Sequence, residues 1–382
     1  MGHSLLSPSK AARWLNCPPS ACLEAKIPDT PSPYAAEGTL AHALAENELN
    51  FASGYISEVE YYTNLAKLRN DELFEVDMAD YIARYVDFVL NILAEEGTDT
   101  KLFVEQKLDL CRYVPDCYGT ADAIVVSDNT LHIIDLKYGK GVKVDAFENP
   151  QLKLYALGAL DLVSVLYDIE RVTLNIVQPR LNHIDTYSLS KAELLDWAFA
   201  VSKKAALAFE GVGTMQAGTW CKFCKCNPKC KALADKQLEI AKYDFRQADF
   251  LTDKELVDIF KRSKEFKEWI DAVNNYIKTF LEQGGSIKGL KLVESSSRRS
   301  WRDEVADAEA IKAAAEEAGL PTDILYTEPT IKSFSAIEKT VGKKVFEKVF
   351  SKFIKSTSYK AAALESDKRP AAINSVDEDF LM

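Results

Sequence analysis

The sequence predicts an α/β protein with a mixed central sheet, flanking helices and a helical C-terminal region. Three successive segments, at 101–110, 117–126 and 131–137, are rich in apolar and β-branched residues and are separated by turn residues, as strands are. A strongly apolar helix follows at 149–167, and the strand pattern returns at 171–179. A helix between the third and fourth strands implies a crossover connection, and therefore a mixed sheet.

Helical periodicity predicts the elements that flank the strands. Apolar residues recur at helical spacing over 37–51 and 75–96, before the first strand, and again over 190–210, after the last one. The apolar helix between the strands has Asn149 in the capping position and Pro150 in its first turn, which is a typical start for a helix.

These patterns divide the chain into five segments. Residues 1–35 are rich in Pro and Ser and show little periodicity, whereas 36–190 contain the predicted sheet. A helix and a cysteine-rich segment follow at 191–235, and a helical and basic region at 236–362. The last segment, 363–382, has the composition of a flexible tail.

The region 236–362 gives weaker patterns. An amphipathic run that ends at Gly284–Gly285 predicts one long helix or a helical hairpin, and two small helical units are expected near 303–318 and 335–354. A short stretch mixes basic residues with an aromatic one: Arg298, Arg299, Trp301 and Arg302. Such residues can contact a phosphate backbone and stack on a base, although a solvated charged edge has the same composition.

The composition restricts the class of protein. Of 382 residues, 47% are hydrophobic and 27% charged, which is typical of a soluble globular protein. No apolar run reaches the roughly 18 residues that span a bilayer, and the N-terminus has no secretory signal core. We therefore expect a cytoplasmic protein without a membrane partner, whose thiols stay reduced. The net charge of −11 argues against extensive coating of nucleic acid, but a local basic groove is compatible with it.

Charged residues end the third predicted strand. Asp135 and Lys137 project from the same face, because strand side chains alternate. If the second and third strands form a hairpin about Asp128–Asn129, Asp122 lies near Asp135 across the ladder. Two adjacent carboxylates repel unless a cation lies between them, and Mg²⁺ prefers oxygen ligands of this kind. The pattern indicates a divalent-metal site with a neighbouring lysine, and a surface salt bridge is the alternative.

Two pairs of polar residues on helices accompany this candidate site. His42 and Glu46 are four residues apart on one helix, and Gln151 and Tyr155 are four apart on the helix after Lys137. A helix-borne imidazole is a common metal ligand, and the glutamine and tyrosine could orient the lysine or contact a phosphate. The alternative for each pair is packing without a role in a site.

In their joint order these residues resemble the PD-(D/E)XK nuclease superfamily, and within it the RecB-type branch. The shared pattern, within about residues 35–190, is Gly38-x-x-x-His42, Asp122, Asp135-Leu136-Lys137 and Gln151-x-x-x-Tyr155. The resemblance implies a restriction-endonuclease-like core and DNA cleavage that depends on Mg²⁺ or Mn²⁺.

The resemblance also implies a role for each residue. The implied metal ligands are His42, Asp122, Asp135 and the carbonyl of Leu136, together with Glu105, which matches an acidic position of some branches. Lys137 would position the attacking water, and Gln151 and Tyr155 would complete the catalytic group with the two aspartates.

A cluster of cysteines follows the predicted core. Cys221, Cys224, Cys226 and Cys230 lie within ten residues, and three of them form the spacing C-x₂-C-x₅-C. In a cytoplasmic chain such a cluster indicates metal ligands. Both zinc and an iron–sulfur cluster take four cysteines, so the local motif leaves both open.

The resemblance favours the iron–sulfur cluster. RecB-type nucleases, AddB and CRISPR-associated exonucleases among them, include members with a [4Fe–4S] cluster held by one cysteine before the core and three after it. The ligands that this implies here are Cys17, Cys221, Cys224 and Cys230. Cys22 and Cys226 depart from the pattern, and either could replace one of these ligands. Cys111 and Cys117 flank a loop between strands and are interpreted as unpaired thiols.

Over its whole length the sequence resembles a family of RecB-like proteins encoded by bacteriophages and prophages, through stretches such as "RWLNCPPS", "YGTADAIVV" and "IIDLKYGKGVKV". This implies a role in phage DNA replication or recombination inside the bacterial host, with DNA and other phage replication proteins as partners. We therefore predict a metal-dependent deoxyribonuclease, an exonuclease acting on DNA ends. The alternative is a non-catalytic DNA-binding or replisome scaffold protein whose cysteines bind zinc.

Overall fold

The structure, a computed structural model, describes residues 4–29, 33–97, 99–239 and 251–290. Within them the helices are α1 (Ala11–Asn16), α2 (Ser20–Ala25), α3 (Pro33–Ala52), α4 (Glu58–Arg69), α5 (Val76–Glu95), α6 (Pro150–Val163), α7 (Lys191–Glu210), α8 (Lys231–Leu238) and α9 (Asp253–Glu282). The strands are β1 (Lys101–Asp109), β2 (Tyr118–Val126), β3 (Thr130–Leu136), β4 (Arg171–Gln178) and β5 (His183–Ser190).

The five strands form one mixed sheet in the order β1-β2-β3-β4-β5. β3 and β4 pair in parallel, and all other neighbours pair antiparallel. A parallel pair needs a crossover connection, and α6 supplies it. The predicted class, an α/β fold with a mixed sheet, flanking helices and a helical C-terminal region, is confirmed.

β5 is a strand that the sequence pattern did not predict. It pairs with β4 and forms an edge of the sheet. Its residues alternate between half-buried and exposed, and only Leu189 is fully buried. An edge strand with so little buried apolar surface has a weak sequence pattern, so it cannot be recognised from the sequence alone.

Helices cover both faces of the sheet over two hydrophobic cores. On one face, α6 and α7 pack with α1 and α2 around buried residues such as Trp14 and Leu157. On the other face, α3, α4 and α5 pack around residues such as Leu44 and Ile82. The sheet is therefore buried on both sides, as its central apolar strands require.

The N-terminal residues contain two helices that the sequence did not predict. α1 and α2 are six residues each, too short for helical periodicity to be visible. Trp14 is 1% exposed, and its indole N–H donates a hydrogen bond to the Ser7 carbonyl at 3.2 Å. The segment is thus packed into the core, which holds Cys17 at the end of α1 in a fixed place.

The start of α6 is fixed as the sequence predicts. The Asn149 side chain accepts hydrogen bonds from the N–H groups of Gln151 and Leu152, and Pro150 occupies the first turn. Ten of the fourteen residues of α6 are buried, so the helix cannot shift without disturbing the core. This start therefore determines where Gln151 and Tyr155 lie relative to the end of β3.

The described residues fall into two compact units. One contains 4–239, apart from its gaps, together with 262–277, and the other contains 251–261 and 278–290. The amphipathic run in the C-terminal region forms the single helix α9, and it ends before Gly284–Gly285 as expected.

Several predictions fall on residues outside the described ranges. They are the basic cluster Arg298, Arg299, Trp301 and Arg302, the helical units near 303–318 and 335–354, and the tail at 363–382. In the part of the chain that the structure does describe, no helix combines the length and the apolarity needed to cross a bilayer.

Two helical glycines differ in the space around them, so the same substitution should have opposite effects at the two positions. A Cβ at Gly158 would lie 3.0 Å from Leu108 Cβ and from Leu110 Cδ2, whereas a Cβ at Gly38 on α3 would meet no atom within 4 Å. We expect Gly38→Ala to raise the free energy of unfolding by up to about 1 kcal/mol through helix propensity. Gly158→Ala should lower it by about 1–2 kcal/mol through overpacking. Urea denaturation of both variants measures this, and stabilisation by Gly158→Ala would contradict the packing.

Candidate functional site

The candidate site begins where the ladder between β2 and β3 ends. The last paired residues are Ala123 and Ile134, so Asp122 and Asp135 occupy the next opposed positions. The ladder does not continue there, because Asp122 Oδ2 accepts a hydrogen bond from the Leu136 N–H at 2.7 Å. A side-chain carboxylate thus satisfies a backbone donor at the strand end. The two aspartates lie at the same end of the sheet, as the sequence predicts.

At Glu105 the alternation of side chains along β1 is interrupted, so that residues before and after it face opposite sides of the sheet from those that strict alternation gives. Leu102 and Val104 pack into the core beneath α3, α4 and α5, whereas Leu108 packs into the core beneath α6. Strict alternation would put all three on one face. The exchange coincides with Glu105, whose φ of +46° lies in the left-handed region that non-glycine residues rarely occupy.

β2 shows the same exchange at the opposing position. Ala121 packs into the α6 core and Ala123 into the opposite core, although they are only two residues apart. Asp122 lies between them and faces Glu105 in the register of the two strands. Backbone strain of this kind concentrates at functional sites, where the surrounding structure maintains it. The distortion turns both carboxylates toward one place.

His42, on α3, approaches these carboxylates from the helical layer. Its Nδ1 lies 3.2 Å from Asp122 Oδ1 and 3.7 Å from Glu105 Oε1. One ligand atom from each of the three residues lies within 4.8 Å of the others. Burial lowers the pKa of His42, but hydrogen bonds with Asp122 and Glu105 and the negative charge of Asp122 and Asp135 outweigh it and raise that pKa to about 10. The carboxylates therefore strongly favour a positive charge here.

Asp135, which is buried, and Lys137, which is partly exposed, form an ion pair beside this group. Lys137 Nζ lies 2.9 Å from Asp135 Oδ2. Gln151, on α6, joins the two, because its Oε1 accepts from Lys137 Nζ at 3.0 Å and its Nε2 donates to Asp135 Oδ1 at 3.1 Å. The same Nε2 donates to the Tyr155 hydroxyl oxygen at 3.4 Å. The structure thus brings these four predicted residues together.

The surroundings of this ion pair decide its charge state. Burial raises the pKa of Asp135; Lys137 opposes the rise and the charge of Asp122 adds to it. Burial lowers the pKa of Lys137, but the attraction of Asp135 outweighs burial, so that this pKa is raised overall. Lys137 is therefore an ammonium at neutral pH. An ammonium donates hydrogen bonds and cannot bind a metal.

The donor set fits a divalent metal ion. His42, Glu105 and Asp122 offer one imidazole nitrogen and two carboxylates at short mutual distances. Carboxylates suit Mg²⁺ and Mn²⁺, and the imidazole favours softer ions than Mg²⁺. With Asp135 there are three carboxylates. When His42 gives up its proton to act as a ligand, Lys137 is the positive side chain that remains in this group, so the site attracts a divalent cation.

Two of the predicted ligands have other contacts. Asp135 is 2% exposed and is engaged by Lys137 and Gln151, whereas the tight group consists of the imidazole and the other two carboxylates. Leu136 contributes its N–H to Asp122. The role of the Leu136 carbonyl as a ligand therefore depends on the family resemblance. Glu105, which the resemblance matches to an acidic position of some branches only, lies within the tight group.

An ion pair that sequence patterns did not reveal supports the site. Arg180 Nη1 lies 2.7 Å from Glu37 Oε1, and the Arg180 guanidinium lies 4.7 Å from the centre of the Tyr138 ring. Glu37 is on α3, five residues before His42, and Tyr138 directly follows Lys137. The pair therefore connects the helix that carries the imidazole to the strand end that carries the lysine. Its partners are 143 residues apart, so no local pattern could have indicated it.

The cysteines form a second candidate site. Five cysteines line one common cavity: Cys17, Cys221, Cys224, Cys226 and Cys230. The structure therefore brings Cys17, at the end of α1, to the cysteines that follow α7. Cys22 points elsewhere, because its Sγ lies 3.4 Å from the Phe209 carbonyl and 3.7 Å from the Ala208 carbonyl, at the end of α7.

The chemistry of this cavity fits a metal. Burial raises the pKa of Cys224 to about 12, and the charge of Glu24 adds to the rise while Arg13 opposes it. Burial also raises the pKa of Cys221 and of Cys226. Thiolates form at such positions when a nearby positive charge stabilises them, and a metal ion provides that charge. Zinc and iron both accept thiolates, so the donor atoms alone fit either.

Fold and site together define an α/β protein with an imidazole–carboxylate centre and a separate cysteine cavity. The family model described as "Protein of unknown function (DUF2800)" matches residues 3–370, and the chain belongs to that family. Among solved structures, the chain is similar to "Crystal structure of SSO0001" at 18% identity, over 50% of this chain and 95% of that one. The TM-score of this match is 0.24, which is too low to support a conclusion about fold.

The hydrogen bond from Leu136 predicts that two substitutions of Asp122 differ in stability. Asp122→Ala leaves the buried Leu136 N–H without an acceptor, which costs about 1–3 kcal/mol, whereas the amide oxygen of Asp122→Asn can still accept it. We expect Asp122→Ala to be the less stable variant in thermal and urea unfolding. Both variants lose a charged ligand, so Mn²⁺ binding measured by calorimetry should weaken in both. Equal stabilities would show that this hydrogen bond does not maintain the strand end.

Proposed function

We propose that the protein is a metal-dependent deoxyribonuclease that hydrolyses phosphodiester bonds at DNA ends. The observation that supports this best is the position of the Asp135–Lys137 pair beside the group formed by His42, Glu105 and Asp122. The group suits a divalent cation, and the pair places a hydrogen-bond donor with a positive charge next to it. A divalent cation and such a donor can act together when water attacks a phosphodiester, because both offset negative charge that develops on the phosphate.

Different residues of the site would bind the metal and position the attacking water. His42, Glu105 and Asp122 would hold Mg²⁺ or Mn²⁺, which polarises a phosphate oxygen when bound. Lys137 would donate a hydrogen bond to the attacking water and offset negative charge that develops on the phosphate. The Lys137 ammonium donates one N–H to Gln151 Oε1 and one to Asp135 Oδ2, which fixes the direction of the N–H that remains.

The cysteine cavity would hold a [4Fe–4S] cluster, with Cys17, Cys221, Cys224 and Cys230 as its ligands. The proximity of Cys17 to the later cysteines supports a single centre built from both ends of the core. The preference for iron over zinc rests on the family resemblance. Such a centre would tie the N-terminal helices to the residues after α7, and it would stabilise the fold because metal binding and folding are coupled.

The substrate and the biological setting rest on the resemblance to RecB-like proteins of phages. They imply DNA as the partner, a role in phage replication or recombination, and action in the cytoplasm of the bacterial host. The direct test is incubation of purified protein with end-labelled single- and double-stranded DNA and Mn²⁺. Release of short products from the ends supports an exonuclease, and internal cuts indicate an endonuclease. Binding without any cleavage would favour the DNA-binding or scaffold alternative.

Lys137→Ala tests the catalytic group. We expect cleavage to fall by about 100-fold or more, because a positioned donor at the reacting phosphate is lost. Mn²⁺ binding should be retained or become tighter, because a positive charge beside the ligands is removed. Single-turnover cleavage and calorimetry measure the two effects. Lys203→Ala, at an exposed lysine on α7, is the matched control and should behave like the wild type. Wild-type cleavage by Lys137→Ala would refute the assigned site.

Two cysteines five residues apart test the metal centre. Cys17 lines the cysteine cavity, whereas Cys22 contacts carbonyl oxygens at the end of α7. We expect Cys17→Ala to lose most of its iron and acid-labile sulfide after anaerobic purification, and Cys22→Ala to keep both.

Cys226→Ala completes this comparison, because Cys226 lines the same cavity. If the implied ligand set is correct, this variant retains iron. Full iron in Cys17→Ala together with loss of iron in Cys226→Ala would show that the fourth ligand is Cys226. Stoichiometric zinc in colourless wild-type protein would rule out the iron–sulfur cluster.

A further inference from the structure

Two buried donors beside the cysteine cavity lack hydrogen-bond partners. Among the described residues, Arg13 Nε and Ser20 Oγ are buried atoms without a hydrogen bond. Leaving such a donor unsatisfied costs about 1–3 kcal/mol, so an acceptor is expected at each. Both side chains line the cavity that the cysteines also line. Five cysteines line this cavity and offer sulfur acceptors, and Asn227, whose buried Oδ1 also lacks a hydrogen bond, lines it as well.

The local backbone holds Ser20 next to one of the cysteines. The Ser20 N–H donates to the Cys17 carbonyl at 2.9 Å, which closes a tight turn over Cys17-Pro18-Pro19-Ser20. Proline at two positions stiffens this turn, since its ring fixes φ. Ser20 is 3% exposed, so its hydroxyl has no access to bulk water as an alternative partner.

The Arg13 guanidinium is held in place through its Nη1 atom. Arg13 Nη1 forms an ion pair with Glu24 and donates to the Phe223 carbonyl at 2.9 Å. Glu24, which is 3% exposed, also accepts from the Lys225 N–H at 2.7 Å. These contacts flank Cys224 on both sides and reach across 201 to 210 residues of sequence. The guanidinium is therefore fixed in orientation, and its Nε–H remains available.

We infer that Arg13 and Ser20 are positioning residues for the metal centre, which donate N–H···S and O–H···S hydrogen bonds to its sulfur atoms. This inference rests on the proposed metal site at the cysteines and holds for iron–sulfur and zinc alike. Four thiolates around a [4Fe–4S]²⁺ core or around Zn²⁺ leave a net negative charge buried in the protein. Donors directed at the sulfurs stabilise that charge and set the properties of the metal.

The test begins with the metal that the purified wild-type protein carries, and uses two variants. Ser20→Ala removes the hydroxyl donor with little change in volume, and Arg13→Lys keeps the charge but removes the Nε–H. Ser164→Ala, at an exposed serine that ends α6, is the matched control. Because Arg13 also takes part in a buried ion pair, Ser20→Ala keeps the test valid if Arg13→Lys does not fold.

With iron present, the readout is the reduction potential from a mediated titration followed by visible absorbance. Loss of a hydrogen bond disfavours the more negative, reduced state, so each variant should be harder to reduce by several-fold in the equilibrium constant, where about tenfold corresponds to 59 mV for one electron. With zinc present, the readout is the transfer of zinc to a chromogenic chelator. Less stabilised thiolates should release it several-fold faster than in the wild type and in the control.

Each result decides a different question. Potentials or release rates equal to those of the wild type, with the metal retained, would overturn this inference alone. A wild-type protein without any metal at the cysteines would overturn both the inference and the proposed cluster. DNA cleavage with Mn²⁺ is measured independently of the cysteines, so failure of the nuclease proposal appears in that assay and cannot be confused with either result.

Discussion

The candidate site depends on the interruption of the β2–β3 ladder after Ala123 and Ile134. Had the ladder continued, Asp122 and Asp135 would have formed one more cross-strand pair with like charges opposed. The hydrogen bond from the Leu136 N–H to Asp122 removes that arrangement. It engages one oxygen of the carboxylate and leaves the other 3.2 Å from the imidazole nitrogen on α3. One side chain therefore ends a strand and forms part of the site.

The charges of the site link it to the packing of the whole core. Three carboxylates meet at the sheet end, and the positive groups that offset them come from different elements, His42 from α3 and Lys137 from the end of β3. A buried charge is tolerated only where its partners are held in place. The Glu37–Arg180 pair holds α3 against the chain that follows β4, where Arg180 also faces the Tyr138 ring, and the capped start of α6 holds Gln151. The docking of α3 and α6 on the sheet therefore keeps the charges of the site in place.

The sequence predicted those features that depend on local patterns. Strands β1 to β4 have enough buried apolar residues to be visible, and the order of Asp122, Asp135 and Lys137 along them could be converted into proximity through the hairpin register. Glu105 could not be placed with the same assurance, because its contribution depends on a backbone φ of +46° that no residue pattern encodes. The Glu37–Arg180 pair was equally hidden, since both residues are ordinary surface types and only the tertiary fold joins them.

The cysteines of the cavity come from distant parts of the chain, which either the fold or a bound metal must bring together. Cys17 and Cys221 are separated by roughly 200 residues, and closing a loop of that length costs about 5 kcal/mol in chain entropy. A metal ion would have to overcome this cost if the cysteines met only through it. Two groups of polypeptide contacts already close the loop: the packing of α1 on the core, and the ion pair of Arg13 with Glu24, which bonds to the chain on both sides of Cys224. The cysteines are therefore brought together by the fold, and a metal that binds them adds its binding energy to a site that is already assembled.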